Sequence, residues 1–392
     1  MFCLQTIVDE VVNLRNELDL NVRQLAENTG IKSSCLYDFE NDGKIGFRKL
    51  LKLSQFLFQE KYHEKMKEWC LKLPTTEATK QAFEYAAVKR DDELLGELLE
   101  MSEGDEALVP YVRTYRILHD YMTYKTDFKQ LSSQMSKLKV YGNKELNTLK
   151  RIYKCVSYYY YKDYYGITRE AEEVNKELSK MNTERSLFYK ECYSYRLSEV
   201  LAPTYLSLNE VALCTYHANV LIKGEVNLKH QSDGYYYLGM INLDSDKEAS
   251  LRYFNKSYEI MKQVGESVLV RETKHNLDLA NIYFAHKEGS AIPDLTKFEN
   301  ELLLGGDADF LVYFKYVQCR SIEKIHQGYV HFHTGMNYLF ASLIADDLVS
   351  LGGDAGHASV LKTLKIKSRG EIFYEKDFIN YFSFRSSFSS VA

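Results

Sequence analysis

SDGYYYLGMINLDSDKEASLRYFNKSYEIMKQVGE, residues 232–266, reads as two helices folded back on one another. One helical run starts near Ser232 and the next near Asp246, with a polar break between them. Leu238-Gly239 removes side-chain bulk where the partner helix must come close. Ser250, Phe254 and Ser257 then set a small–large–small stripe along one face of the second helix. A hairpin of this kind cannot bury its apolar faces alone, so it calls for neighbours of the same design.

Moving outward, helical runs start near Thr75, Asp91, Asp105, Thr126, Asn143, Thr168, Thr183, Asn209, Ser232, Asp246, Ser267, Pro293 and Asp307. Every second break falls roughly 35 to 45 residues after the last, the length of one helix–turn–helix repeat. NEVALCTYHANVLIKG (209–224) repeats the stripe with Ala212, Tyr216 and Asn219. The 232–266 unit resembles a degenerate tetratricopeptide repeat, with Asn242 where that motif usually has Tyr. Only 4 prolines occur in 392 residues, which suits helices because proline lacks the amide donor and clashes with the preceding turn. The 32 tyrosines and 20 phenylalanines supply large half-polar rings for packed helical grooves. The expected class is all-α.

A net charge of −5 excludes a generally polycationic nucleic-acid or membrane binder but leaves room for a local basic face. Seven scattered cysteines without a Cys-x-x-Cys pair fit reduced thiols rather than a disulfide framework or zinc site. The first residues carry acids every few positions, unlike a signal peptide, and no apolar run approaches a membrane span. A cytosolic protein is expected.

In residues 4–18, Leu4, Ile7, Val11, Leu14 and Leu18 recur at helical spacing. VRQLAENTG follows Asn21, with Leu25 and Ala26 inward and Gly30 closing the helix. IKSSCLYDFEND gives a third helix, Ile31–Asn41, burying Ile31, Leu36 and Phe39. GKIGFRKLLKLSQFLF gives a fourth, with Phe47, Leu50, Leu51 and Leu53 for the core. Two short helices about a glycine turn inside a four-helix unit read as helix-turn-helix. The run resembles the DNA-binding domain of phage repressors, departing from it at Val22 and at Asp38. That resemblance implies Lys32, Ser33, Ser34 and Tyr37 at the bases, and Arg23, Lys44, Arg48 and Lys49 at phosphates. Residues 1–60 hold seven Lys/Arg against nine Asp/Glu, so the usual basic footprint is missing and a protein-docking bundle is the alternative.

Other segments carry no chemistry. Consecutive tyrosines in YYYYKDYYG (158–166) point in different directions on a helix, so they suit a buried helix end better than a base-stacking platform. HQGYVHFH (326–333) has no carboxylate at ligand spacing, and LGGDAGHAS (351–359) lacks the Lys-Ser/Thr of a phosphate loop and reads as a loop between helices. No nucleophile–base arrangement appears. Neither a catalytic role nor a metal or cofactor is expected.

The order of a helix-turn-helix head (1–57), helical repeats (58–306) and a C-terminal region (307–392) is similar to the peptide-pheromone receptors of Gram-positive bacteria. CLYDFENDGK (35–44) and the hairpin near Asn209 narrow the resemblance to the arbitrium receptors of temperate Bacillus phages. It implies a homodimeric transcription regulator in the host cytosol that binds a double-stranded operator. A signalling peptide of about five or six residues in a concave groove would abolish productive DNA binding and move the phage toward lysogeny. Asparagine both donates and accepts, so it suits a groove that must satisfy a peptide backbone. Asn209, Asn242, Asn276 and Asn281 fall in consecutive hairpins, the last three on expected inner helices, with Asn242 foremost. Each has the competing reading of a cap or turn residue. Tyr205 could wall the groove and Arg271 could meet a peptide carboxylate. Phe310, Tyr313, Phe314, Phe378, Tyr381 and Phe382 offer apolar surface for a dimer, or else cap the last repeat. The rival function is an adaptor that grips a protein partner through residues 1–57.

Overall fold

The computed structural model describes residues 2–302, 308–365 and 383–384, and among these the regular structure is helical, without strands. Two compact units emerge. Unit 1 comprises residues 1–197, 223–227 and 370–392, and unit 2 comprises 198–222 and 228–369. Helix starts follow the chemistry expected of them. Thr75, Asp91, Asn143 and Asp246 each accept a hydrogen bond from the backbone N–H three residues on, satisfying a donor that a helix end leaves open. The Ser267 start is met at that residue and the Thr183 start one residue later, while the remaining starts lie two to four residues from expectation, since apolar periodicity blurs at helix ends.

Unit 1 begins with four helices, α1 (Phe2–Glu17), α2 (Val22–Thr29), α3 (Ser33–Asp42) and α4 (Phe47–Phe58). Asn21 and Gln24 form a reciprocal capping box at the start of α2, and Gly30 ends that helix at φ 65°, a left-handed conformation that favours glycine. Ile7, Val11, Leu25, Ile31, Leu36, Phe39, Phe47, Leu50, Leu51 and Leu53 are all buried, as the periodicity predicts. Leu14 is half-buried, and Leu18 is exposed because α1 stops at Glu17. The side chain of Leu4 lies outside the described set. Then come α5 (Tyr62–Cys70), α6 (Thr76–Lys89), α7 (Asp92–Met101), α8 (Val109–Met122), α9 (Phe128–Lys137), α10 (Lys144–Tyr160) and α11 (Tyr164–Ser179). From α6 to α11 each helix packs on a chain neighbour. The tyrosine run does span a helix end, between α10 and α11. Only Tyr164 is buried, however, while Tyr159, Tyr160, Tyr161 and Tyr165 are exposed, with Tyr160 stacked on Phe128 of α9 at 4.7 Å.

The 24-residue α12 (Glu184–Ser207) contributes to both units and carries Pro203 in its interior, against the general expulsion of proline from helices. Unit 2 continues with α13 (Val211–Lys223), α14 (Leu228–Ile241), α15 (Lys247–Val264), α16 (Ser267–Lys287), α17 (Thr296–Leu302), α18 (Asp309–Val317), α19 (Ile322–Thr334), α20 (Tyr338–Ser350) and α21 (Ala355–Thr363). The α14–α15 seam is built as read. A Cβ added at Gly239 would sit 3.0 Å from the Phe254 ring, and Ser250, Phe254 and Ser257 are all buried. Ser250 Oγ donates to the Gly239 carbonyl at 2.8 Å and Ser232 Oγ to the Ser257 carbonyl at 2.8 Å, so the small residues also tie the two backbones. In α13 the buried face is Cys214, His217, Ala218 and Leu221, not the expected Ala212, Tyr216 and Asn219. Gly234 decides that register, since a Cβ there would meet the Ala218 carbonyl at 2.8 Å. The 351–359 loop ends at Asp354, which caps α21.

Candidate functional site

The head residues cluster on α2, α3 and the following turn. Lys32, Ser34 and Tyr37 are exposed, Ser33 is half-buried, and Asp38 is exposed beside them. The third helix starts at Ser33 and not Ile31, so Lys32 is its N-cap in extended conformation and supplies no side-chain capping bond. Arg23 is exposed on α2. Lys44, past the C-terminal Gly43, pairs with Asp42 at 3.0 Å. Arg48 departs from expectation. Its guanidinium meets the buried Glu191 carboxylate at 2.7 Å and Glu184 at 3.7 Å, so it is committed inside unit 1 and does not face outward. Lys49 lies 3.4 Å from the Cys35 thiol, half-buried.

The second group belongs to unit 2. Tyr205 has no exposed surface; its ring stacks on His217 at 5.6 Å, so it is core and cannot wall an open groove. His217, fully enclosed and 2.9 Å from Ser198 Oγ, has its basicity pushed down by burial to a pKa of about 3 and is neutral. Asn209 sits two residues before α13 with φ 53°, a left-handed turn position that asparagine tolerates. Its carbonyl accepts from Lys365 Nζ at 3.2 Å, and the same ammonium pairs with Glu210 at 3.1 Å. Lys365 is a cation the sequence reading missed, for at such separation no local pattern links the two positions.

Asn242 lies one residue past α14, not on its face. Its side-chain amide donates to the Leu238 carbonyl at 2.7 Å, and its own carbonyl accepts from Ser245 and Asp246. Arg271, Asn276 and Asn281 share α16 but not a side. Five-residue steps turn about 140° on a helix. Accordingly Asn276 falls with the buried Thr273, Ala280 and Tyr283, while Arg271 and Asn281 are exposed. The Asn281 amide donates to the Leu277 carbonyl at 2.8 Å. Burial raises the neighbouring Glu272 carboxyl, with Lys229 and then Arg271 opposing.

Of the expected dimer rings, Phe310, Tyr313 and Phe314 are buried within unit 2 by one another and by Tyr283 and Phe340, so they offer no outer surface. Phe378, Tyr381 and Phe382 lie outside the described residues. His326, His331 and His333 are spread around α19, and the described residues contain no cluster of three or more His, Cys, Asp or Glu placed for a metal. No described helix is long and apolar enough to cross a membrane.

A profile of the AimR transcriptional regulator-like family matches residues 62–300. The chain belongs to this family. That is the group to which the sequence resemblance pointed. Two solved structures share the fold. A selenomethionine phAimR aligns with TM-score 0.64 at 16% identity over 90% of this chain and 99% of that one. A phAimR solved with a ligand aligns with TM-score 0.59 at 15% identity over 79% and 98%. Comparison with curated proteins gives no significant match. The helical-repeat character of the fold is thus shared with AimR structures, and the family is one of transcriptional regulator-like proteins.

Proposed function

We propose that the chain is a DNA-binding transcriptional regulator, switched by a short communication peptide that sets a phage's choice between lysis and lysogeny in the host cytosol. The observation that carries the reading is the family match across 62–300, joined to a head whose α2 and α3 meet at a left-handed glycine turn. On this reading residues 1–57 are a helix-turn-helix domain. Lys32, Ser33, Ser34 and Tyr37 face the major groove, and Arg23 and Lys44 meet phosphates. The chain acts as a homodimer, since one small head reads only half of a symmetric operator. The peptide binds unit 2 among Asn209, Arg271 and Asn281, and the C-terminal ends of α14 and α16 present carbonyl groups to its backbone N–H groups. Asn242 acts there through the turn it holds. Peptide binding shifts the repeats between two packings by its differential affinity and abolishes productive DNA binding.

Lys32→Glu tests the head. A mobility shift with DNA from upstream of the gene should weaken on the order of tenfold, since one phosphate or base contact is lost and a repulsion added. Unchanged binding at moderate salt would remove Lys32 from the interface. The exposed Asp38 and the Asp42–Lys44 pair favour the second reading, a head that docks a protein partner. Wild-type protein that shifts no such DNA would select that reading.

A further inference from the structure

One buried carboxylate in unit 1 divides its two oxygens between distant parts of the chain. Glu191, on α12, gives Oε1 to the Arg48 guanidinium of α4 at 2.7 Å. Its Oε2 accepts the Ser383 backbone N–H at 2.9 Å and the Ser383 hydroxyl. Beside this junction the Phe384 ring lies nearly parallel to Tyr85 of α6, at 5.9 Å and 8°, and 6.0 Å from Phe188 of α12. The α4 residue Phe47 meets the same two rings edge-on, at 5.9 Å and 4.9 Å. All four rings are buried. Remove Ser383 and Phe384, and the junction loses two hydrogen bonds to an enclosed charge and one ring of four. A buried charge short of partners is costly, so the occupied state holds Glu191 and therefore Arg48 in place.

We infer that Tyr85, Phe188 and Glu191 form a docking socket for the chain's own Ser383-Phe384, and that its occupancy clamps α4, and with it the head, onto the repeats of unit 1. The socket reads two features: a small residue offering N–H and O–H to a carboxylate, then an aromatic ring for a slot. Seventeen residues, 366–382, join the last described residue of unit 2 to the clamp.

Hydrogen exchange on the full chain tests the clamp without reference to what the head binds. Ser387-Phe388 repeats the dipeptide, so Phe384→Ala is combined with Phe388→Ala to stop a slipped register refilling the slot. The expected result is exchange on the order of tenfold faster across α4, with α19 and α20 unchanged. A synthetic peptide NYFSFRS, residues 380–386, added to the variant should restore protection of α4. Unchanged exchange in α4 overturns the inference. So does equal acceleration in α4 and in α19–α20, which marks general loss of stability, or failure of the peptide to restore protection.

Discussion

Unit 1 and the α14–α15 hairpin of unit 2 are both stacks of helices, but they are held by opposite means. In unit 1 the inner ties are charges contributed from far apart in sequence. Glu84 of α6 receives Arg196 of α12 at 2.7 Å and the Tyr115 hydroxyl of α8 at 2.8 Å, with Arg196 also donating to Tyr153 at 3.2 Å. In the hairpin the ties are serine hydroxyls and a glycine, spaced 11 to 25 residues apart. A buried ion pair tolerates little displacement, since each partner then loses its opposite charge, the main compensation for lost water. The hairpin seam involves no charge, so a shift there strands none. The contrast is between unit 1 and this hairpin, since elsewhere in unit 2 the buried Asp347 meets Lys287 at 2.7 Å and the Tyr313 hydroxyl at 2.6 Å.

The largest expected effect attacks the charged side of this contrast. Arg196→Ala leaves Glu84 enclosed without its cation, and urea unfolding should show a loss of about 3–5 kcal/mol. Replacing the pair together, Glu84→Leu with Arg196→Met, should cost less than Arg196→Ala alone, because no charge remains to be stranded. A double variant as unstable as the single one would show that Arg196 acts through its packing, and the contrast would lose its basis.

How much of this was legible follows from the same distinction. The four head helices, Gly30 and the Ser250-Phe254-Ser257 stripe depend on residues three or four apart, so periodicity exposes them. Arg48 looked like an outward cation because nothing near it in sequence announces Glu191. Tyr205 looked like a groove wall because a half-polar ring beside Ser207 and Asn209 reads as surface; His217, twelve residues on, encloses it. The asparagines divided on geometry that spacing cannot supply. Asn242 and Asn209 fall at turns, while Asn276 and Asn281 turn to different sides of one helix. Family membership was legible from the order of parts; the residues that would touch a ligand were not.

A second expected effect separates the units by pH. Burial holds His217 of unit 2 at a pKa of about 3, far below an ordinary imidazole, so the folded chain stays neutral there while the unfolded chain takes up a proton below about 6.5. Stability from this source is complete above pH 6.5 and falls as pH drops, by about 1.4 kcal/mol per pH unit. In unit 1, burial works to raise the Asp91 carboxyl, but bonds from His63, the Leu94 N–H and Lys67 outweigh it and bring the pKa to about 2. Its contribution is present above pH 3.8 and lost only below. Between pH 6.5 and 4.5 the hydrogen-exchange protection of α13 should therefore decline, while fluorescence of Trp69, the single tryptophan, buried in unit 1, stays constant. His217→Gln should flatten the decline; a decline that persists would place its cause elsewhere.

The smallest expected effect tests whether the hairpin seam is as forgiving as its chemistry suggests. Ser250→Ala deletes the hydroxyl that donates to the Gly239 carbonyl, a carbonyl that also accepts the Asn242 N–H at 3.3 Å. The lost bond is worth about 0.5–1.5 kcal/mol, and the methyl left behind fills nearly the same volume without creating a cavity. Asn242 then becomes the remaining anchor for that end of α14. Asn242→Ala in the Ser250→Ala background should cost more than in the wild type, because the Asn242 amide on the Leu238 carbonyl and the Ser250 hydroxyl on the Gly239 carbonyl tie adjacent groups of one helix end and their effects are coupled. Strict additivity in the double-mutant cycle would mean that the two ties act independently, and the hold of the seam would then rest on the Ser232–Ser257 contact about two helical turns away.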